Sequence, residues 1–99
     1  MFAIVLEYVV DLAKVDAALS AHNSWLDEQY SSGLFIASGR REPRVGGVIL
    51  ARGDLATIKE AVSKDPFGIQ GLATHTIIEF HPSRFGEPLN TETVRSALR

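Results

Sequence analysis

The sequence contains no cysteine, which excludes disulfides, thiolate catalysis, Cys-ligated zinc and iron–sulfur clusters. It has no apolar run near the ~18 residues a membrane helix needs, so no membrane segment is expected. A basic excess is also lacking. Lys and Arg number 10 against 12 Asp and Glu, for a formal net charge of −2. A nucleic-acid partner is therefore not expected, and the local cluster Arg40, Arg41 and Arg44 reads as solvated surface. No phosphate-binding glycine loop, dinucleotide fingerprint or nucleophile elbow is present. The opening MFAIVLEYVV has no basic flank, is interrupted by Glu7 and is followed by no A-x-A-like site. It reads as a strand rather than a signal peptide, and the cytoplasm is the expected location.

What is present fits one domain of 99 residues. A chain of this size buries roughly 60–65% of its surface, so an exposed sheet face would favour a partner subunit. Residues 2–9 are β-branched and aromatic and form a first strand. Phe2, Ile4, Leu6 and Tyr8 lie on one side of its pleat, and Ala3, Val5, Glu7 and Val9 on the other. Asp11 is placed to cap a helix over about 12–32, with Leu12, Val15, Ala18, Leu19, Trp25, Leu26 and Tyr30 at helical spacing. Weak helix formers at Ser20–Ser24 predict a break or bend, and Gly33 ends the helix.

Residues 34–41 and 47–53 form a hairpin across a Pro- and Gly-containing turn. Asp54 caps a second helix, about 55–64, which Asp65-Pro66-Phe67 terminates. A glycine-containing loop leads to a last strand at 73–81. The order β-α-β-β-α-β predicts an α+β, ferredoxin-like domain over residues 1–82, a four-stranded antiparallel sheet with two helices on one face. Residues 83–99 form a C-terminal tail with a short helix from Thr91. The uncovered sheet face predicts a homodimer.

The candidate chemistry starts with His22, at helical spacing from Leu19, Trp25 and Leu26. It reads either as a partly buried, satisfied histidine or as an acid–base group at a pocket rim, since imidazole titrates near neutrality. Asp65 reads either as a helix-ending turn residue or as the carboxylate orienting His22. Ser38 and Gly39 offer a polar group and a close backbone approach on the second strand, and a nearby arginine could pair with a substrate carboxylate. His75, Ile77, Glu79 and His81 share one face of the last strand, and three polar residues on that face predict the open, non-helix side of the sheet. Neighbours two apart on a strand converge poorly, and no metal is expected.

The run from His22 to Phe80 resembles the YciI-like family. It has His22 in a long first helix, the Ser38-Gly39 step, the turn into Gly47-Val48-Ile49-Leu50, and a second helix ending in Asp65-Pro66-Phe67. The resemblance implies a dimeric α+β barrel with a His–Asp active site, here His22 and Asp65. Read from their own positions rather than from the resemblance, Ser38, Gly39, Arg40 and Phe67 are the expected substrate-binding residues. The resemblance implies cofactor-free chemistry on a small organic molecule, of lyase, isomerase or dehydrochlorinase type. Many relatives carry Gly-Pro where this chain has Ser38-Gly39-Arg40, so no particular substrate carries over. The alternative is a non-catalytic module that binds a metabolite or another protein; a cofactor-independent monooxygenase has no positive sign in the sequence.

Overall fold

The apolar alternation of the first strand decides the centre of the sheet. In the computed structural model, which describes Met1–Arg99, β1 (Phe2–Tyr8) turns Phe2, Ile4 and Leu6 into the core and leaves Glu7 exposed. It pairs antiparallel with β3 (Gly46–Ala51) on one side and β4 (Ala73–Glu79) on the other. β2 (Phe35–Arg40) forms the hairpin partner of β3, giving the order β2-β3-β1-β4. This is the four-stranded antiparallel α+β sheet expected from the element order.

The register creates one row across the inner face in which Arg40, Gly47, Leu6 and His75 stand side by side. Gly47 contributes no side chain to that row, which leaves space between Leu6 and β2. The neighbouring Gly46 is demanded by close approach. A Cβ there would fall 1.8 Å from the Leu6 carbonyl oxygen, well inside contact distance.

Helix α1 (Leu12–Ser31) runs without the break expected at Ser20–Ser24. Its middle is held from outside. His22 and Trp25 are buried, and the Trp25 indole N–H donates to the Ala61 carbonyl at 3.0 Å. Tertiary contacts outweigh propensity differences of about 0.7 kcal/mol per residue. Helix α2 (Leu55–Val62) starts at Asp54, whose side chain accepts from the Thr57 N–H.

Asp65-Pro66 was expected to end a helix and enter a loop. It instead opens another, the single turn α3 (Pro66–Ile69), with Asp65 as N-cap and Pro66 at the first position. Both facts follow from one chemistry, because proline is disfavoured inside a helix but suited to its first residue. A last short helix, α4 (Glu92–Leu98), is capped by Thr91. The core lies between the sheet and α1–α3, built from Phe2, Ile4, Phe35, Ile49, Val15, Trp25, Ile58 and Phe67. No helix is long and apolar enough to cross a membrane.

Candidate active site

Asp65 is fully buried, at 0% exposure, although a lone ionised carboxylate in that position would be costly. Its surroundings supply the compensation. Oδ1 lies 2.7 Å from His22 Nδ1 and accepts the Phe67 N–H at 3.0 Å. Oδ2 lies 2.7 Å from His75 Nε2. Burial pushes the carboxyl upward, but the hydrogen bonds from His22 and His75, with the Phe67 N–H, outweigh it and hold the group below its ordinary value. A carboxylate kept ionised can only accept hydrogen bonds, so the ring nitrogen facing it is the donor in each pair, Nδ1–H of His22 and Nε2–H of His75.

Each partner reaches the carboxylate by a separate route. His22 comes from the buried stripe of α1, four residues after Ala18 and three before Trp25. Asp65 and Phe67 come from the start of α3. The Phe67 ring stacks on the imidazole of His22, with centroids 3.9 Å apart and planes 5° from parallel. Tyr8 meets the same Phe67 edge-on at 5.8 Å.

His22 also borders a cavity of about 220 Å³ lined by Tyr8, Leu19, Leu26, Ser38, Arg40 and Phe67 among others. Its Nε2 makes no hydrogen bond within the protein, yet no buried side-chain nitrogen or oxygen is left without a partner. Nε2 is therefore accessible, and the cavity is the space His22 lines. The arrangement is an imidazole that lines a small cavity, with one ring nitrogen held by a buried carboxylate and the other free of protein partners.

Of the residues singled out in the sequence, the structure brings His22 and Asp65 into contact and sets Ser38, Gly39, Arg40, His22 and Phe67 around one cavity. Ser38 is on the inner face, with its hydroxyl 2.5 Å from that of Tyr30. Arg40 stands at the rim. Its side chain is 72% exposed and meets only Glu42, at 3.5 Å. Arg44 is engaged instead with Asp16, and Arg52 donates to the Gly33 carbonyl.

His75 departs from its sequence assignment. It faces the helices, not the open side, together with Ala73 and Ile77, which pack with the core. The signal was the alternation itself. Apolar Ala73 and Ile77 flank His75 on one face, while Thr74 and Thr76 take the other. The count of polar residues outweighed that alternation wrongly, since a histidine with a buried partner belongs inside. Tyr8, Asn23, Gly46 and Gly47 also line the cavity and were not foreseen as site residues. No group of three His, Asp or Glu side chains is arranged to hold a metal ion.

The model of the YCII-related domain family matches residues 1–81. Among solved structures the chain is similar to the 5-chloro-2-hydroxyhydroquinone dehydrochlorinase of Burkholderia phenoliruptrix AC1100, in its complex with 2,5-dihydroxybenzoquinone. The TM-score is 0.69 and the identity 14%, over 84% of this chain and 96% of that one. At that identity the likeness shows a shared fold. No curated protein matches the sequence.

Proposed function

The chain belongs to the YCII-related domain family, and from that premise we propose that it is a small-molecule enzyme in which His22 moves a proton and Asp65 orients it. The observation that carries this reading is the pairing of His22 Nδ1 with buried Asp65 while Nε2 remains accessible beside a cavity. In that tautomer Nε2 holds a lone pair and acts as the base. The proton it takes leaves an imidazolium whose charge is balanced by Asp65 at 2.7 Å. Asp65 stays ionised throughout.

The chemistry is a lyase, isomerase or dehydrochlorinase-like step on a small, ring-sized organic substrate. In an elimination, a substrate proton passes to Nε2, the electron pair it leaves behind forms the new double bond, and the leaving group departs as an anion with its own bonding pair. Arg40 supplies a cation at the rim for a substrate oxyanion or carboxylate. Ser38 offers a hydroxyl and Gly39 an open backbone edge. Phe67 acts mainly by backing the His22 ring, since one of its faces is occupied by that stack. The uncovered sheet face carries Val48 and Ile78, both more than a third exposed. A two-fold partner would cover them, which supports a homodimer that sedimentation at micromolar concentration checks.

The direct test offers 5-chloro-2-hydroxyhydroquinone, the compound named for the structural neighbour, and follows chloride release. The wild type releases chloride, and His22→Gln lowers the rate by about 10²-fold or more, the usual contribution of a positioned base. His22→Gln turning over at the wild-type rate would overturn the role of His22. Binding of 2,5-dihydroxybenzoquinone without turnover of any related halide would favour a metabolite-binding module instead.

A further inference from the structure

Asp65 has two carboxylate oxygens, and the proposed reaction uses only the one that holds His22. The other is occupied by His75 Nε2 at 2.7 Å, on a side chain only 9% exposed. This contact is built. His75 stands on β4 opposite Leu6 of β1, so its backbone is fixed by the sheet. Gly68 of α3 makes room for its ring, since a Cβ there would come within 3.2 Å of His75 Cε1. The four residues Asp65-Pro66-Phe67-Gly68 thus have distinct tasks. They provide the carboxylate, the helix start, the surface that His22 stacks on, and the gap that seats His75.

We infer that His75 is a positioning residue of the active site, clamping Asp65 Oδ2 so that Oδ1 stays aimed at His22 Nδ1. The inference rests on the proposed role of His22 and Asp65. A carboxylate bound at one oxygen can rotate about its Cβ–Cγ bond, and its orienting effect on an imidazole weakens. With Oδ1 held by His22 and the Phe67 N–H, and Oδ2 held by His75, rotation would break hydrogen bonds on both sides. His75 lies outside the residues lining the cavity. It therefore acts on the reaction through Asp65, not by touching substrate.

The test compares His75→Leu, which removes the donor, with His75→Gln, which keeps an N–H on a side chain of similar reach. Carbon-13 carboxyl signals follow the titration of Asp65, and nitrogen-15 ring signals report the tautomer of His22. In His75→Leu the Asp65 titration moves up by about one pH unit through loss of a hydrogen bond to its charged form, and the His22 ring becomes a mixture of tautomers. His75→Gln restores both. Where chloride release is seen, His75→Leu lowers kcat about tenfold with KM nearly unchanged. An Asp65 titration and a His22 tautomer that are the same in all three proteins would overturn the inference, even if kcat falls. If the wild type shows no turnover, the functional reading fails while the two spectroscopic readouts still decide the clamp. Should His75→Leu not fold, Gly68→Ala displaces the ring and is expected to move the same two signals in the same direction. Unmoved signals in Gly68→Ala would count against it.

Discussion

Asp54 and Asp65 begin successive helices and perform the same local task. Each has extended backbone geometry and accepts a backbone N–H of the helix it opens, Asp54 from Thr57 at 2.9 Å and Asp65 from Phe67 at 3.0 Å. Each has its carboxyl held below the ordinary value, Asp54 chiefly by the Thr57 N–H and hydroxyl. They differ in what the rest of the fold brings to them. Asp54 is solvent-exposed and its partners are local. Asp65 is sealed under α1 and receives an imidazole from α1 and another from β4. A helix cap becomes a candidate active site when burial removes water and two distant elements each supply a donor.

That contrast can be broken by substitution. Asp65→Ala should have the largest effect, since it strands the His22 and His75 N–H groups and the Phe67 N–H in a dry interior. Denaturant unfolding should show a loss of about 3–5 kcal/mol, as when one partner of a buried charged network is removed. Asp65→Asn keeps one side-chain oxygen but turns an NH₂ toward an imidazole N–H, and should lose about 1–3 kcal/mol. Asp54→Ala should cost less than either, and Asp54→Ser should restore it, because serine caps equally well. If Asp54→Ala were as damaging as Asp65→Ala, burial would not be what separates the two. Removing the exposed Asp16–Arg44 pair should leave the unfolding midpoint unchanged, as is usual for surface ion pairs.

Acid sharpens the same comparison. Against the upward push of burial, the Asp65 carboxyl is held below its ordinary value by the hydrogen bonds from His22, His75 and the Phe67 N–H, so its contribution to stability is fully present above the unfolded value. It is lost as pH falls through that value toward the folded one. Stability measured against pH should therefore drop below about pH 4 in the wild type, where unfolded aspartates begin to protonate. The drop should be shallower in Asp65→Asn, which has no carboxyl to titrate at that position.

Much of the fold was legible because local pattern and tertiary role agree. The alternation of Phe2, Ile4 and Leu6 puts them in the core, and the spacing of Val15, Ala18 and Trp25 matches the buried side of α1. The hairpin and the Asp54 cap were equally readable. Three features were not. The middle of α1 looks weak in isolation and is kept helical by Trp25 and His22 bonding to other segments. Asp65-Pro66 carries a stop signal and a start signal at once, and the start is realised where Asp65 caps the Phe67 N–H and the Phe67 ring stacks on His22. His75 is polar within a strand, and its inward orientation is explained by a carboxylate ten residues earlier in the chain. The contact between His22 and Asp65 spans 43 residues. Spacing names the two residues as candidates, and the packing of α3 against α1 is what joins them.

The most direct test of this account is a histidine-selective nitrogen-15 spectrum of the wild-type protein at alkaline pH, with the rings neutral. His22 is predicted to carry its proton on Nδ1, facing Asp65, with Nε2 unprotonated and displaced by added 2,5-dihydroxybenzoquinone while His75 stays unmoved. A His22 protonated on Nε2, with a lone pair turned toward Asp65, would contradict the assignment of a base to this cavity.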